Sequence, residues 1–203
     1  MHFRTALILF LLTASPASAV IIDGIAAIVN DDVVTRSEVD SVERLGLHLS
    51  GLSNEGEVLQ ERIDHHLVLQ QLIKQPPLAI TDEEVNRAIE SFAQQHGGLS
   101  KLQEFLISIG MNYADFKKEV HDQLAIRRFV SERFRPFVNI TIEDAEKYYN
   151  EVFKPNRQRI GQTPPPFAES FEEIQSLLVE SQVQDKIKEW LADLRRTATI
   201  NIK

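Results

Sequence analysis

The chain has 203 residues, with 22 Lys and Arg against 30 Asp and Glu, a formal net charge of −8 and no cysteine. The acidic balance disfavours nucleic acid and anionic lipid as main partners. The missing thiol excludes a cysteine nucleophile, a zinc–cysteine site, an iron–sulfur cluster and a disulfide framework.

Residues 1–19 read as a secretory signal peptide. His2 and Arg4 give a basic start, Ala6–Leu12 is an apolar run too short to span a bilayer, and Ala17-Ser18-Ala19 is an A-x-A cleavage pattern. Cleavage is expected after Ala19. No later segment approaches the length of a membrane span, so no stable membrane insertion is expected.

Gly24–Asn30 then reads as a strand, with a return at Asp32-Val33-Val34 across an Asn30-Asp31 turn. Asn and Asp tolerate the positive φ of tight hairpin turns. Thr35-Arg36-Ser37-Glu38 predicts a capping box, opening a helix with Val39, Val42 and Leu45 inward. Gly46 and Ser50–Asn54 end it. A second helix is expected over residues 55–75 and is stopped by Pro76-Pro77. Thr81-Asp82-Glu83-Glu84 predicts a second capping box and a third helix, ended by Gly97-Gly98. Residues 100–109 predict a fourth helix with Gly110 as its left-handed cap. Residues 113–135 predict a long fifth helix, ended by Pro136. Thr141-Ile142-Glu143-Asp144 caps a short sixth helix through Tyr149.

Residues 151–168 are polar and basic around Lys154–Arg159 and contain Pro164-Pro165-Pro166, and they predict an irregular linker. A last helix is expected over residues 170–196. Thr197–Lys203 reads as a terminal strand. A lone strand leaves backbone groups unpaired, so the terminal strand is expected to pair with the N-terminal hairpin. The predicted fold is mainly α, closed by a small sheet that joins the two ends. The expected units are residues 20–150 as a helical domain, 151–168 as linker and 169–203 as the helix and strand that complete the domain.

Ile25–Asp40, Arg62–Gln70, Ile80–Val85 and Pro165–Phe167 with the closing Ala198–Ile202 together resemble the SurA-type periplasmic chaperones, over nearly all of residues 20–203. The resemblance implies a periplasmic, ATP-independent holdase that binds unfolded outer-membrane or secreted proteins through an apolar groove. Members commonly carry parvulin-type prolyl isomerase domains before the last helix. Here only about 18 residues fill that place, fewer than a domain needs, so isomerase activity is not expected. Two alternatives stay open: prolyl isomerase by family name, and a dedicated assembly subunit for one partner. A homodimer also stays open.

Candidate peptide-binding residues are Phe92, Leu99, Phe105, Met111, Tyr113, Phe116 and Phe137, an apolar and aromatic surplus of the kind a broad docking surface uses. Core packing is the competing reading for most of these rings. His65-His66 beside Asp64 is expected at helix surface and boundary positions. Adjacent helical residues point about 100° apart, so no metal site is expected. Glu83-Glu84, Glu143-Asp144 and Glu172-Glu173 sit where helix N-termini favour negative charge. No catalytic constellation, cofactor or metal is expected.

Overall fold

A computed structural model describes residues 23–46 and 58–203. The predicted signal peptide, the helix-ending stretch Ser50–Asn54 and the start of the second predicted helix at residues 55–57 lie outside the described residues.

The chain opens on the hairpin β1 (Ile25–Val29) and β2 (Asp32–Thr35), paired antiparallel with a bulge between Ile25 and Ala27. Asn30 takes φ 56°, the left-handed conformation its short amide side chain tolerates. Helices follow in order: α1 (Arg36–Leu45), α2 (Val58–Leu72), α3 (Asp82–Gln95), α4 (Leu99–Ser108), α5 (Tyr113–Phe134), α6 (Ile142–Tyr148), α7 (Lys154–Arg159) and α8 (Phe167–Thr197). The last element is β3 (Ile200–Ile202).

β3 pairs antiparallel with β1, giving the order β2-β1-β3. The expected joining of the two ends is therefore present. Asn30 reinforces it. Its amide N–H donates to the Thr199 carbonyl at 2.8 Å, and its side-chain oxygen accepts from the Thr199 N–H at 2.9 Å. The sheet's inner face, with Ala27, Val29 and Val34, packs on Ile63 and Leu67 of α2.

Three further apolar clusters organise the helices. Leu45, Val85, Ile89, Leu102, Leu106, Phe116 and Val120 bind α1, α3, α4 and α5. Val68, Ile126, Phe129, Val183, Ile187 and Leu191 bind α2, α5 and the C-terminal half of α8. Ala145, Phe153 and Ile174 bind α6 and its extension to the N-terminal half of α8. At 31 residues, α8 is about 46 Å long, so it reaches from the sheet to this outlying cluster.

Local signals explain most helix ends. Thr81 with Glu84, and Thr141 with Asp144, form the reciprocal capping boxes. Gly46 and Gly110 take positive φ as C-terminal caps require. The box at Thr35 is only half formed. Thr35 Oγ1 accepts from the Glu38 N–H, but the Glu38 carboxylate turns away to Arg62 and His66. Tertiary partners outbid the local backbone donor.

Residues 151–168 depart from the predicted linker. The helix continues from α6 through a π-helical turn at Tyr149–Phe153 into α7, and residues 160–166 are the non-helical part. The cause lies at Pro155. Proline lacks an N–H and its ring collides with the carbonyl four residues back. The wide turn immediately before it accommodates both, as such insertions do. Phe153 is buried against α8, and that burial keeps the segment helical. α8 then begins at Phe167, directly after Pro166, rather than at Ser170.

Candidate functional site

The corner of α3, α4 and α5 gathers six of the seven candidate peptide-binding residues. A column of rings runs through it: Phe105, His96, Phe92, Phe116 and Tyr113. Phe92 stacks on His96 at 4.3 Å between centroids, and His96 stacks on Phe105 at 5.7 Å. Phe116 lies 5.6 Å from Phe92 and 6.3 Å from Tyr113. His96 is fixed by Nδ1, which lies 3.0 Å from the Phe92 carbonyl. His96 is not among the candidate residues drawn from the sequence. Its i+4 spacing from Phe92 is the signal that pairs them on one helix face.

The seven residues divide by exposure. Phe116 is fully buried and is core. It sits where α3, α4 and α5 converge, so no polypeptide can reach it. Phe92, Phe105 and Met111 are half-buried. Leu99 and Tyr113 are 48% and 42% exposed, and Ile107, absent from the sequence-based set, is 78% exposed. Phe137 is also exposed, but it lies beyond the far end of α5, a helix of 22 residues and so about 33 Å long. It does not join the others.

Beside this corner is an open cleft of about 520 Å³. α1 forms one wall and α5 the other, with Ile109, Gly110 and Met111 closing one end and α2 as floor. Arg62 is the centre of the floor. It is buried and donates to Glu38 through Nε at 2.9 Å and also through Nη2. Its Nη1 donates to Glu119 at 2.8 Å. His66 Nε2 lies 3.1 Å from Glu38. Burial pushes the Glu38 carboxyl up, but the His66 contact and the Arg62 charge outweigh it and hold its pKa at about 2.

The expected surface placement of His65 and Asp64 is wrong. Both are buried, because α2 is enclosed by the sheet, α1, α5 and α8. Arg195 of α8 donates to Asp64 at 2.6 Å and to the Gln60 side chain at 2.7 Å. Burial nonetheless raises the Asp64 pKa. Among the described residues, no group of His, Asp and Glu side chains is arranged to hold a metal ion.

The model of the SurA N-terminal domain matches residues 22–130. The chain belongs to the SurA N-terminal domain family. The match spans the hairpin and α1 through most of α5, so it contains the ring column and the cleft. A protein named Chaperone SurA from Xanthomonas campestris is 39% identical over 116 residues, covering 53% of this chain and 25% of that protein. One from Pseudomonas fluorescens is 27% identical over 149 residues, covering 69% of this chain and 35% of its own length. The chain thus spans about a quarter to a third of the curated SurA relatives it matches. A solved structure from work on PEB4 and the periplasmic protein Cj1289, described as SurA-like chaperones of Campylobacter jejuni, shares the fold. Its TM-score is 0.51 at 13% identity, covering 89% of this chain and 99% of that one. Among the described residues no helix is long and apolar enough to cross a membrane.

Proposed function

We propose that this chain is a periplasmic, ATP-independent chaperone that holds unfolded outer-membrane or secreted polypeptides. The observation that carries the reading is the α3–α5 corner of a SurA-family module. It leaves Leu99, Ile107 and Tyr113 exposed on the helices that hold the ring column. A docking face for varied unfolded chains needs apolar side chains at the surface with an ordered support beneath them. Here the buried Phe116 is the support and the exposed residues are the contact. Helix and a short non-helical stretch fill residues 151–168, and this favours holding over prolyl isomerisation.

Suppression of aggregation tests the reading. At stoichiometric ratio the protein should keep a denatured β-barrel protein in solution. The double variant Ile107→Ser, Tyr113→Ser should lose most of that effect while its own melting temperature stays within about 2 °C, since both sites are exposed. Full suppression by the double variant would remove this corner as the contact. No suppression by the native chain would remove the holdase reading. In a protease-coupled tetrapeptide assay, prolyl isomerisation should run at the uncatalysed rate.

A further inference from the structure

α1 is fastened over α2 and α5 by a junction built around one titratable ring. His65 is 1% exposed, and its Nδ1 lies 3.3 Å from Nη1 of Arg62. A guanidinium can only donate, so Nδ1 accepts and the ring is neutral. The charged and titratable groups around it are Glu38 from α1, Arg62 and His66 from α2, and Glu119 and Lys118 from α5. The nearby carboxylates are already engaged. Glu38 accepts from Arg62 and meets His66. Glu119 accepts from Arg62 at 2.8 Å and from Gln123 at 3.3 Å, and it stands 3.9 Å from His65. Lys118 is paired with Asp122 at 2.6 Å. Asp32 of β2 approaches His66 at 3.5 Å. Asp40 on α1 and Asp115 on α5 line the outer cleft.

A proton on Nδ1 would set a donor against a donor and place a second cation beside Arg62. The same guanidinium is the hand that holds Glu38, and Glu38 is the side chain by which α1 grips α2. The N-terminal end of α1 has separate ties, from the Arg36 N–H to the Gly24 carbonyl at 2.7 Å and from Ser37 to Asp23. Its other end is held by apolar burial, with Val42 at 2% exposure and Leu45 at 3%, Leu45 reaching into the α3–α4–α5 cluster.

We propose that His65 is an acid-sensitive latch, whose protonation lets α1 pivot away from α2 and α5 and uncovers the apolar seat of Val42 and Leu45. Burial, reinforced by the Arg62 charge, already holds the pKa of this ring well below the ordinary histidine value. The sign follows from linkage. A group whose folded pKa lies below its unfolded value stabilises the closed form above the unfolded value of 6.5, and that stabilisation is lost as pH falls below it. The open population should then grow by up to about tenfold per pH unit. The latch is a property of the folded module and stands whether or not the protein holds unfolded chains.

Hydrogen exchange of the full chain between pH 7 and pH 5, corrected for intrinsic rates, tests it. The amides of α1 should lose protection as pH falls, and binding of an apolar dye should rise in step. His65→Gln keeps an acceptor for Arg62 and cannot titrate, so both responses should flatten. His121→Gln, at an exposed site, should respond like the native chain. Unchanged α1 protection in the native chain down to pH 5, or a native-like response of His65→Gln, would overturn the proposal. A ring titration of His65 by NMR in the native chain needs no variant. The ring should titrate together with α1 opening, and a ring that titrates while α1 stays protected would also overturn it.

Discussion

At the residue scale, Arg62 carries the most consequence. It is a buried cation whose donors are satisfied by two carboxylates and a neutral ring. Breaking a buried pair from one side leaves uncompensated charge, which costs about 3–5 kcal/mol. Arg62→Met should therefore lose about that much in denaturant unfolding at pH 7. The Glu38 carboxyl should then rise from about 2 toward its ordinary value of 4.5, which a carboxyl NMR titration reads. The sign is that of a depressed acid. Glu38 stabilises the native protein above pH 4.5 and ceases to as pH falls toward 2. In Arg62→Met, part of that acid-limb slope should disappear. None of this was legible in the sequence, because Glu38, Arg62 and Glu119 stand 24 and 57 residues apart along the chain. The local pattern at Glu38 spoke only for a capping box.

At the scale of elements, the closing strand is short, and side chains outside the ladder share its work. Asn30 bridges β3 through Thr199 and reaches α2 through Gln70 at 2.6 Å. Asn30→Ala loses these bonds and the short amide side chain that eases the left-handed conformation, and it should cost about 1–3 kcal/mol. Asn30→Gly keeps the backbone conformation and should cost less. The difference between the two variants in chemical denaturation measures the turn strain. Deleting residues 199–203 removes the ladder to β1 and Ile200 from the sheet cluster. It should lower the melting temperature by about 2–8 °C, the shift expected for a loss of about 1–2 kcal/mol in a chain of this size. An unchanged melting temperature would mean that β3 adds nothing to the module.

At the scale of the whole molecule, α8 couples two apolar clusters of different standing. Its C-terminal half is built into the core around Val68, Ile126 and Leu191. Its N-terminal half packs mainly on α6 and the π-helical turn, with Arg157 of α7 donating to Glu173. Stability should be unequal along it, as it is in cooperative subunits generally. Ile174 is fully buried in the outlying cluster, and Ile174→Ala should cost about 2–5 kcal/mol locally. Trp190 packs against Phe129 and Phe134 at the other cluster. Hydrogen exchange should accelerate in α6 and α7 of the variant, while the unfolding midpoint read by Trp190 fluorescence moves far less.

The sequence by itself determined the local punctuation of this protein and its family. Thr81, Thr141, Gly46 and Gly110 set helix ends through bonds and dihedrals confined to a few residues, so their chemistry can be read from the chain. The pairing of the two end strands was also readable, because unpaired backbone demands a partner and little else in the chain offered one. Tertiary structure alone decided which side chains face solvent. Phe116 and Tyr113 lie three residues apart on α5, yet one is sealed between three helices and the other is open. The same holds for His65, expected at a helix surface or boundary and found buried. Burial depends on how many elements converge on a face, and for α2 that is the sheet and three helices. It likewise took packing of Phe153 against α8 to carry a helix through Pro155, where local rules place a break.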